Sequence, residues 1–290
     1  QSSTIMIKRI LVALDPDEDT RVATRYATEL AKRFEASVSG LAVVDTKKIA
    51  EEVGPGGAIG GLYYADKVRE RLETETRSTA RDLIERFEAD LDFAHVPHME
   101  QIREGVPHRR IIDEMKYQDL LVIGRTGRFF YPRPQKKTPT LAHIVKKAIA
   151  PTLVVPDEYR EVRSALVAYD GSDASARTMQ RFAQLQPFGT ELHVELLHVR
   201  PWVGAHFQKE SEFLLELASA YLKAHGFAYV TETSLEMDQP ERRVLSYAQD
   251  ATADMIVAGA HSVSAMKRVA FGSTTHALLE RCRVPFFLYH

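Results

Sequence analysis

Two aspartates and two glycine-bearing stretches carry the chemistry open to this chain. Asp15 closes the apolar run "RILVALD" and Asp170 closes "SALVAYD". Gly259 opens "GAHSVSAMKRVAFGSTTHALLERC", in which Ser262 is followed, after nine intervening residues, by Gly272, Ser273 and Thr274. Gly124 opens "GRTGRFFYPRPQKKTPTLAHIVKK", which keeps Gly127 but has Thr138-Pro139 where the other stretch has Gly272-Ser273. Glycine lets a backbone take positive φ and approach a bound oxyanion closely. A helix starting behind such a loop offers unpaired N–H groups and the positive end of its dipole. A Ser or Thr hydroxyl adds a donor, and a carboxylate at a strand end accepts from an amino or hydroxyl group. This is equipment for holding a phosphorylated ligand. Equipment for breaking bonds is missing from the sequence, which has no G-x-S-x-G, no H-E-x-x-H and no glycosidase-like acid pair. It also shows no candidate base, Walker acid or arginine finger for phosphoryl transfer.

The elements that position these residues read as alternating strands and helices. "RILVALD" is a short buried strand, "TRVATRYATELAKRF" is helical by its apolar spacing, and "SVSGLAVVD" is the next strand. A long charged helix follows over "LYYADKVRERLETETRSTARDLIERFEA", then a weak strand near "DFAHVPHM". The helix "VPHRRIIDEMKYQ", the strand "DLLVIG", the helix "LAHIVKKAI" and the strand "PTLVVP" complete the set. Strict strand–helix alternation predicts a parallel doubly wound sheet, in which ligands bind beyond the C-terminal ends of the strands. Asp15, Val43 and Gly124 sit at such ends.

The whole set then recurs. "SALVAYD" repeats "RILVALD", "PERRVL" repeats "PHRRII", "DMIVAG" repeats "DLLVIG" and "VPFFLY" repeats "APTLVV", all in the same order. A repeat this long is a domain, not a solenoid unit. The expected domains are 6–156 and 162–290, with the seam in the polar stretch "PDEYREVRS" and "FLLELASAYLKAHG" as the central helix of the second. Asp170, Val199 and Gly259 stand at the strand ends of the second copy.

The layout, with Asp after the first strand and G-x-x-G, nine residues and G-[S/T] after the fourth, resembles the universal stress proteins. The resemblance spans the chain twice, from about Lys8 to Tyr289, and the Thr-Pro-Thr of the first copy is similar to the first half of the E-type tandem members. It implies two tandem adenine-nucleotide α-hydrolase-like, Rossmann-like α/β domains and a stress-response role. Some members of the family bind ATP, and others lack the loop pattern and do not. Carried over by position, it implies that Ala168, Asp170 and Val199 flank an adenosine. Gly259 and Ser262 would line the early loop, and Gly272, Ser273 and Thr274 would hold phosphates, with Mg as an accompanying ion. The equivalent residues of the first copy are Ala13, Asp15, Val43, Gly124 and Gly127. Its phosphate end is impaired, because Pro139 has no N–H to give. The second copy departs too: if position 262 needs positive φ, Ser there costs on the order of 1 kcal/mol. A homodimer and pairing of the two domains within the chain are further expectations; the two apolar last strands each need cover for an edge.

Plainer roles stand beside these. Ser273 is a good N-cap for the helix that follows, and Asp15 or Asp170 could cap a turn without any ligand. "GPGGAIGG" (54–61) follows a strand but lacks the Lys-Ser/Thr of a P-loop, so it reads as a linker into the long helix. His95, His98 and His108 have no Cys or paired carboxylate at metal-ligand spacing. "RFFYPRPQKK" is read as a solvated loop, and Cys282 as a structural thiol.

Composition sets the bounds. The 290 residues are enough for two cores, and 44% hydrophobic with 27% charged residues is the balance of a globular protein. The formal net charge of −2 gives no footprint for nucleic acid or an anionic membrane. One cysteine fits a reducing compartment, so the expected location is the cytoplasm. Met6 is a candidate natural start, with Gln1 to Ile5 added ahead of it. The competing functional readings are an adenine-nucleotide-binding regulator without catalysis, a nucleotide-free scaffold and a slow ATP hydrolase.

Overall fold

In the computed structural model of the chain, residues 6–45, 59–127, 129, 139–200, 206–236, 240–259 and 283–289 are described. The chain divides into two compact units, one from Lys8 to Ile144 and one holding Val145 to His290.

The first unit is built on four parallel strands in the order β3-β2-β1-β4. These are β1 (Arg9–Leu14), β2 (Ser37–Val44), β3 (His98–Glu104) and β4 (Leu120–Gly124). β1 after Arg9 and all of β4 are continuous apolar runs because both faces are covered, and β2 is buried along nearly its whole length. Helix α1 (Asp19–Phe34) ends at Glu35, which takes the left-handed conformation and returns its N–H to Ala31. Helix α2 (Ile59–Phe93) runs 35 residues, and α3 (Pro107–Met115) starts with proline at its first turn. Gly40 on β2 is required by α2: a Cβ there would lie 2.7 Å from the ring of Phe87.

The second unit has six strands in the order β5-β10-β9-β6-β7-β8. They are β5 (Thr152–Val155), β6 (Ser164–Ala168), β7 (His193–Arg200), β8 (Tyr229–Glu236), β9 (Met255–Gly259) and β10 (Phe286–Tyr289). All neighbours are parallel except β5 and β10, which pair antiparallel, Leu153 opposite Phe287. The last strand of the first sequence repeat thus covers the edge of the last strand of the second. Helices α5 (Asp173–Leu185), α6 (His206–Ala224) and α7 (Pro240–Asp250) belong to this unit. Its core includes Phe182, Phe227 and Phe287, with Phe182 and Phe227 stacked at 5.7 Å. Between the units in sequence, α4 (Pro139–Lys147) opens on a proline, in keeping with its fixed φ and missing N–H. No helix among the described residues is long and apolar enough to cross a membrane.

Two expectations are corrected. β3 begins only at His98, near the end of "DFAHVPHM", because Asp92 and Phe93 complete the last turn of α2 and His95 ends it at φ 55°. The long helix starts earlier than its charged pattern suggested, taking in Gly60 and Gly61 of the glycine-rich stretch; residues 54–58 lie outside the described residues.

The repeat is exact enough at one corner to align the two halves atom for atom. Asp119 accepts from the N–H groups of Lys8 and Arg9 at 2.8 and 2.9 Å. Asp254 accepts from those of Arg163 and Ser164 at 3.1 and 3.0 Å. Each carboxylate ties the start of the first strand of its copy to the start of the fourth.

Candidate functional site

In the first copy Ala13, Asp15, Val43, Gly124 and Gly127 do converge at the C-terminal ends of β1, β2 and β4, and all of them are buried. What buries them is the chain itself. Asp15, 3% exposed, accepts the Phe129 N–H through Oδ2 and the Asp17 N–H through Oδ1 at 3.3 Å. Its own N–H donates to Thr20 Oγ1 at 3.0 Å. The Phe129 ring is 1% exposed. Asp19, at the start of α1 and 1% exposed, accepts the Thr126 N–H at 2.6 Å. Thr126 and Phe129, just after β4, are therefore fastened down by two carboxylates, which take backbone N–H groups that could otherwise face an anion.

These carboxylates are under electrostatic load. Burial, with help from the like charges of Asp17 and Asp19, pushes the Asp15 carboxyl up to about 7, against the lowering effect of the Phe129 and Asp17 N–H groups. Burial also raises Asp19, opposed by its bonds to Thr126. Four acids in five residues, Asp15, Asp17, Glu18 and Asp19, make this corner hostile to a polyphosphate.

The two strand-end glycines serve a purpose different from the expected positive φ. Gly124 takes an ordinary φ, and a Cβ on it would fall onto the Asp19 carboxylate. On Gly259 a Cβ would lie 2.8 Å from Ala174 C and Ser175 N, in the backbone of α5. Each glycine lets the N-terminus of a helix approach the end of the fourth strand of its copy. Gly127 alone of this group has the left-handed φ, 44°, and it brings the chain round to Phe129.

The second copy is arranged otherwise at the same corner. Asp170 is exposed, and Ala168 and Val199 are half-buried. Asp170 Oδ1 accepts the Ser172 N–H at 3.0 Å across a turn that Gly171 makes possible with φ 76°. Ser172 then caps α5 by accepting from the Ser175 N–H at 3.3 Å. Where the first copy has Asp19, the second has Ala174, so the carboxylate that binds the Thr126 N–H in the first copy has no counterpart at that position. Ser262, Gly272, Ser273 and Thr274 lie outside the described residues, as do Thr138 and Cys282. Residues that the sequence pattern did not single out are Asp19 and Phe129. The signal for Asp19 was present in "DPDED", read against "DGSDA" in the second copy.

The histidines are used locally. His98 Nδ1 lies 2.9 Å from the Val96 carbonyl oxygen, and His108 stacks on His143 at 4.9 Å. Among the described residues no group of three His, Cys, Asp or Glu could hold a metal ion.

Comparison with known proteins agrees with the duplicated architecture. The sequence pattern of the universal stress protein family matches twice, over residues 6–156 and 161–290. Universal stress protein Slr1230 of Synechocystis is 22% identical over 293 residues, which cover 98% of this chain and 100% of that protein. Universal stress protein MJ0531 of Methanocaldococcus jannaschii is 27% identical over 54% of this chain and 86% of its own length. Among solved structures, a universal stress protein from Archaeoglobus fulgidus superimposes with a TM-score of 0.66 at 17% identity, covering 97% of this chain and 95% of that one. The doubled match, on a chain whose two halves repeat each other strand for strand, places this protein in the universal stress protein family as a tandem of two of its domains.

Proposed function

We propose that this tandem protein is a non-catalytic stress-response regulator that binds an adenine nucleotide, ATP, in its second copy and not in its first. The observation that carries the reading is the contrast between the two corners. In the first, Asp15, Asp19 and Phe129 fill and fasten the strand ends, and the acids of residues 15–19 oppose a phosphate. In the second, the equivalent Asp170 is exposed and Ala174 replaces Asp19. Gly272, Ser273 and Thr274 supply the phosphate-binding end of the proposed site, with Gly259 and Ser262 at its entry. A Mg ion would travel with the nucleotide. The protein works in the cytoplasm in this reading, and the whole chain associates as a homodimer.

Calorimetric titration with ATP tests it. Gly272→Val should abolish most binding, since a β-branched side chain takes the space of a phosphate. Asp170→Ala should weaken binding by about tenfold or more, the loss of a charge-assisted contact. Gly127→Val in the first copy should leave affinity as it is. Binding unchanged in Gly272→Val sinks the loop site.

A scaffold that binds no nucleotide is the second reading, and the Asp170–Ser172 bond favours it, because the carboxylate already has a turn to hold. In that case Asp170→Ala lowers the melting temperature and no ATP heat is seen in any variant.

A further inference from the structure

At the other end of the β6–β7–β8 sheet from Asp170 lies a cleft of about 440 Å³. It is lined at the starts of the strands by Ser164, His193, Glu195 and Tyr229, and on the side of α7 by Ala251 and Ala253. The alternation of β7 and β8 puts His193 and Glu195 on one face, with Tyr229 and Thr231 as their direct partners across the ladder. The rings of His193 and Tyr229 stack at 4.7 Å and 11°, with Tyr229 51% exposed. Glu195 is held in one position by two hydroxyl donors, Tyr247 at 2.5 Å and Thr233 at 2.6 Å. Burial and its bond to Glu195 both raise the Tyr247 hydroxyl, which keeps that donor protonated.

The matched corner of the first copy explains why the space exists. The Asp119 and Asp254 anchors, with the registers of β1–β2 and β6–β7, pair Gln118 with Ala253 and Ser39 with Glu195. They also pair Arg9 with Ser164. In the first copy Gln118 Nε2 reaches across to Ser39 Oγ at 3.4 Å. In the second the long side chain is cut back to alanine, the arginine to serine, and the serine on the neighbouring strand has become a fixed carboxylate. Two truncations open the room, and one replacement gives it a charge. The volume lies within the range of small-molecule sites, and the lining combines apolar walls with a few fixed polar groups.

We propose that this cleft binds a small planar organic cation, an aromatic amidine or amine, whose face lies on the Tyr229–His193 stack and whose charge is met by Glu195. Stacking on an aromatic face and pairing with a preorganised carboxylate both favour a flat cation over a neutral molecule of the same shape. The site is separate from the proposed nucleotide site and stands or falls without it.

The test uses benzamidine and its neutral isostere benzamide, titrated into the full-length protein and followed by calorimetry and by the NMR signals of His193 and Tyr229. Benzamidine should bind saturably with Kd on the order of 1–10 mM, as befits a fragment of that size, and benzamide at least tenfold more weakly. Glu195→Gln should bring benzamidine down to the level of benzamide. Ala253→Gln, which restores the side chain that fills the first copy, should remove binding of both while the melting temperature is kept. Equal binding of the two probes, retention of benzamidine binding by Ala253→Gln in a folded protein, or no saturable binding of benzamidine to the parent would each overturn the proposal.

Discussion

Replacing Asp15 by Asn is expected to stabilise the first unit at neutral pH and to do nothing for it in acid. The carboxyl rises from 3.8 in its ordinary state to about 7 in the folded chain. A group raised in this way leaves the folded state least penalised below its unfolded value. Folding then loses stability as pH climbs from about 4 towards 7, and above 7 the full cost is in place. At 1.36 kcal/mol per pH unit the ceiling is about 4 kcal/mol, and sharing of charge with Asp17 and Asp19 brings the expected figure to about 2 kcal/mol. Asn keeps an acceptor for the Phe129 N–H and carries no charge. Its NH2 cannot accept the Asp17 N–H, a long 3.3 Å contact in the parent, so near pH 4 the variant should sit slightly below the parent. The difference should grow through pH 5–7 and stay level above that. Native-state hydrogen exchange of the β1 and β4 amides, read across that range, isolates the first unit. A difference between variant and parent that is flat with pH, or that favours the parent at pH 8, would refute the view that Asp15 is a desolvated, like-charge-loaded carboxylate.

Gly259→Ala should lower stability by about 1–3 kcal/mol, because the new Cβ meets immovable helix backbone at 2.8 Å; a thermal melt within 0.5 °C of the parent would show that α5 shifts freely. Asp119→Ala and Asp254→Ala should each cost about 2 kcal/mol in denaturant titration, since each strips two backbone N–H groups of a charged acceptor. A loss in one variant and none in the other would break the equivalence of the two corners. Arg25→Ala, which removes an ion pair with both side chains about half exposed, should change the melting temperature by less than a degree.

The strands that run continuously apolar, β1, β4, β6 and β9, were legible in the sequence almost to the residue, because burial on both faces leaves no other pattern. So was the duplication, and through it the tandem family assignment. β3 was placed several residues too early because an edge strand of the kind "HMEQIRE" is mostly exposed and carries little apolar signal of its own. The strand-end glycines were found, but the reason for them was not. A sequence shows that a side chain is missing and not what occupies its place, which here is Asp19 in one copy and helix backbone in the other. Nor does an aspartate at a strand end announce whether it faces a ligand or a folded-back loop. Asp15 and Asp170 sit in matched runs, and the difference between them is made by residues further along, Asp19 against Ala174 and Phe129 over the crevice.

The antiparallel pairing of β5 with β10 has a consequence in time as well as in space. On the ribosome β5 is complete at Val155, and its partner begins only at Phe286, about 130 residues later. At about 5–20 residues per second that is a wait of about 7–26 s. Through that interval one edge of an all-apolar strand, Leu153 to Val155, has no neighbour while the rest of the first repeat is already made. The seam of the duplicated chain is therefore its point of greatest exposure during synthesis, where a nascent chain can be captured by a chaperone or by the same strand of another copy.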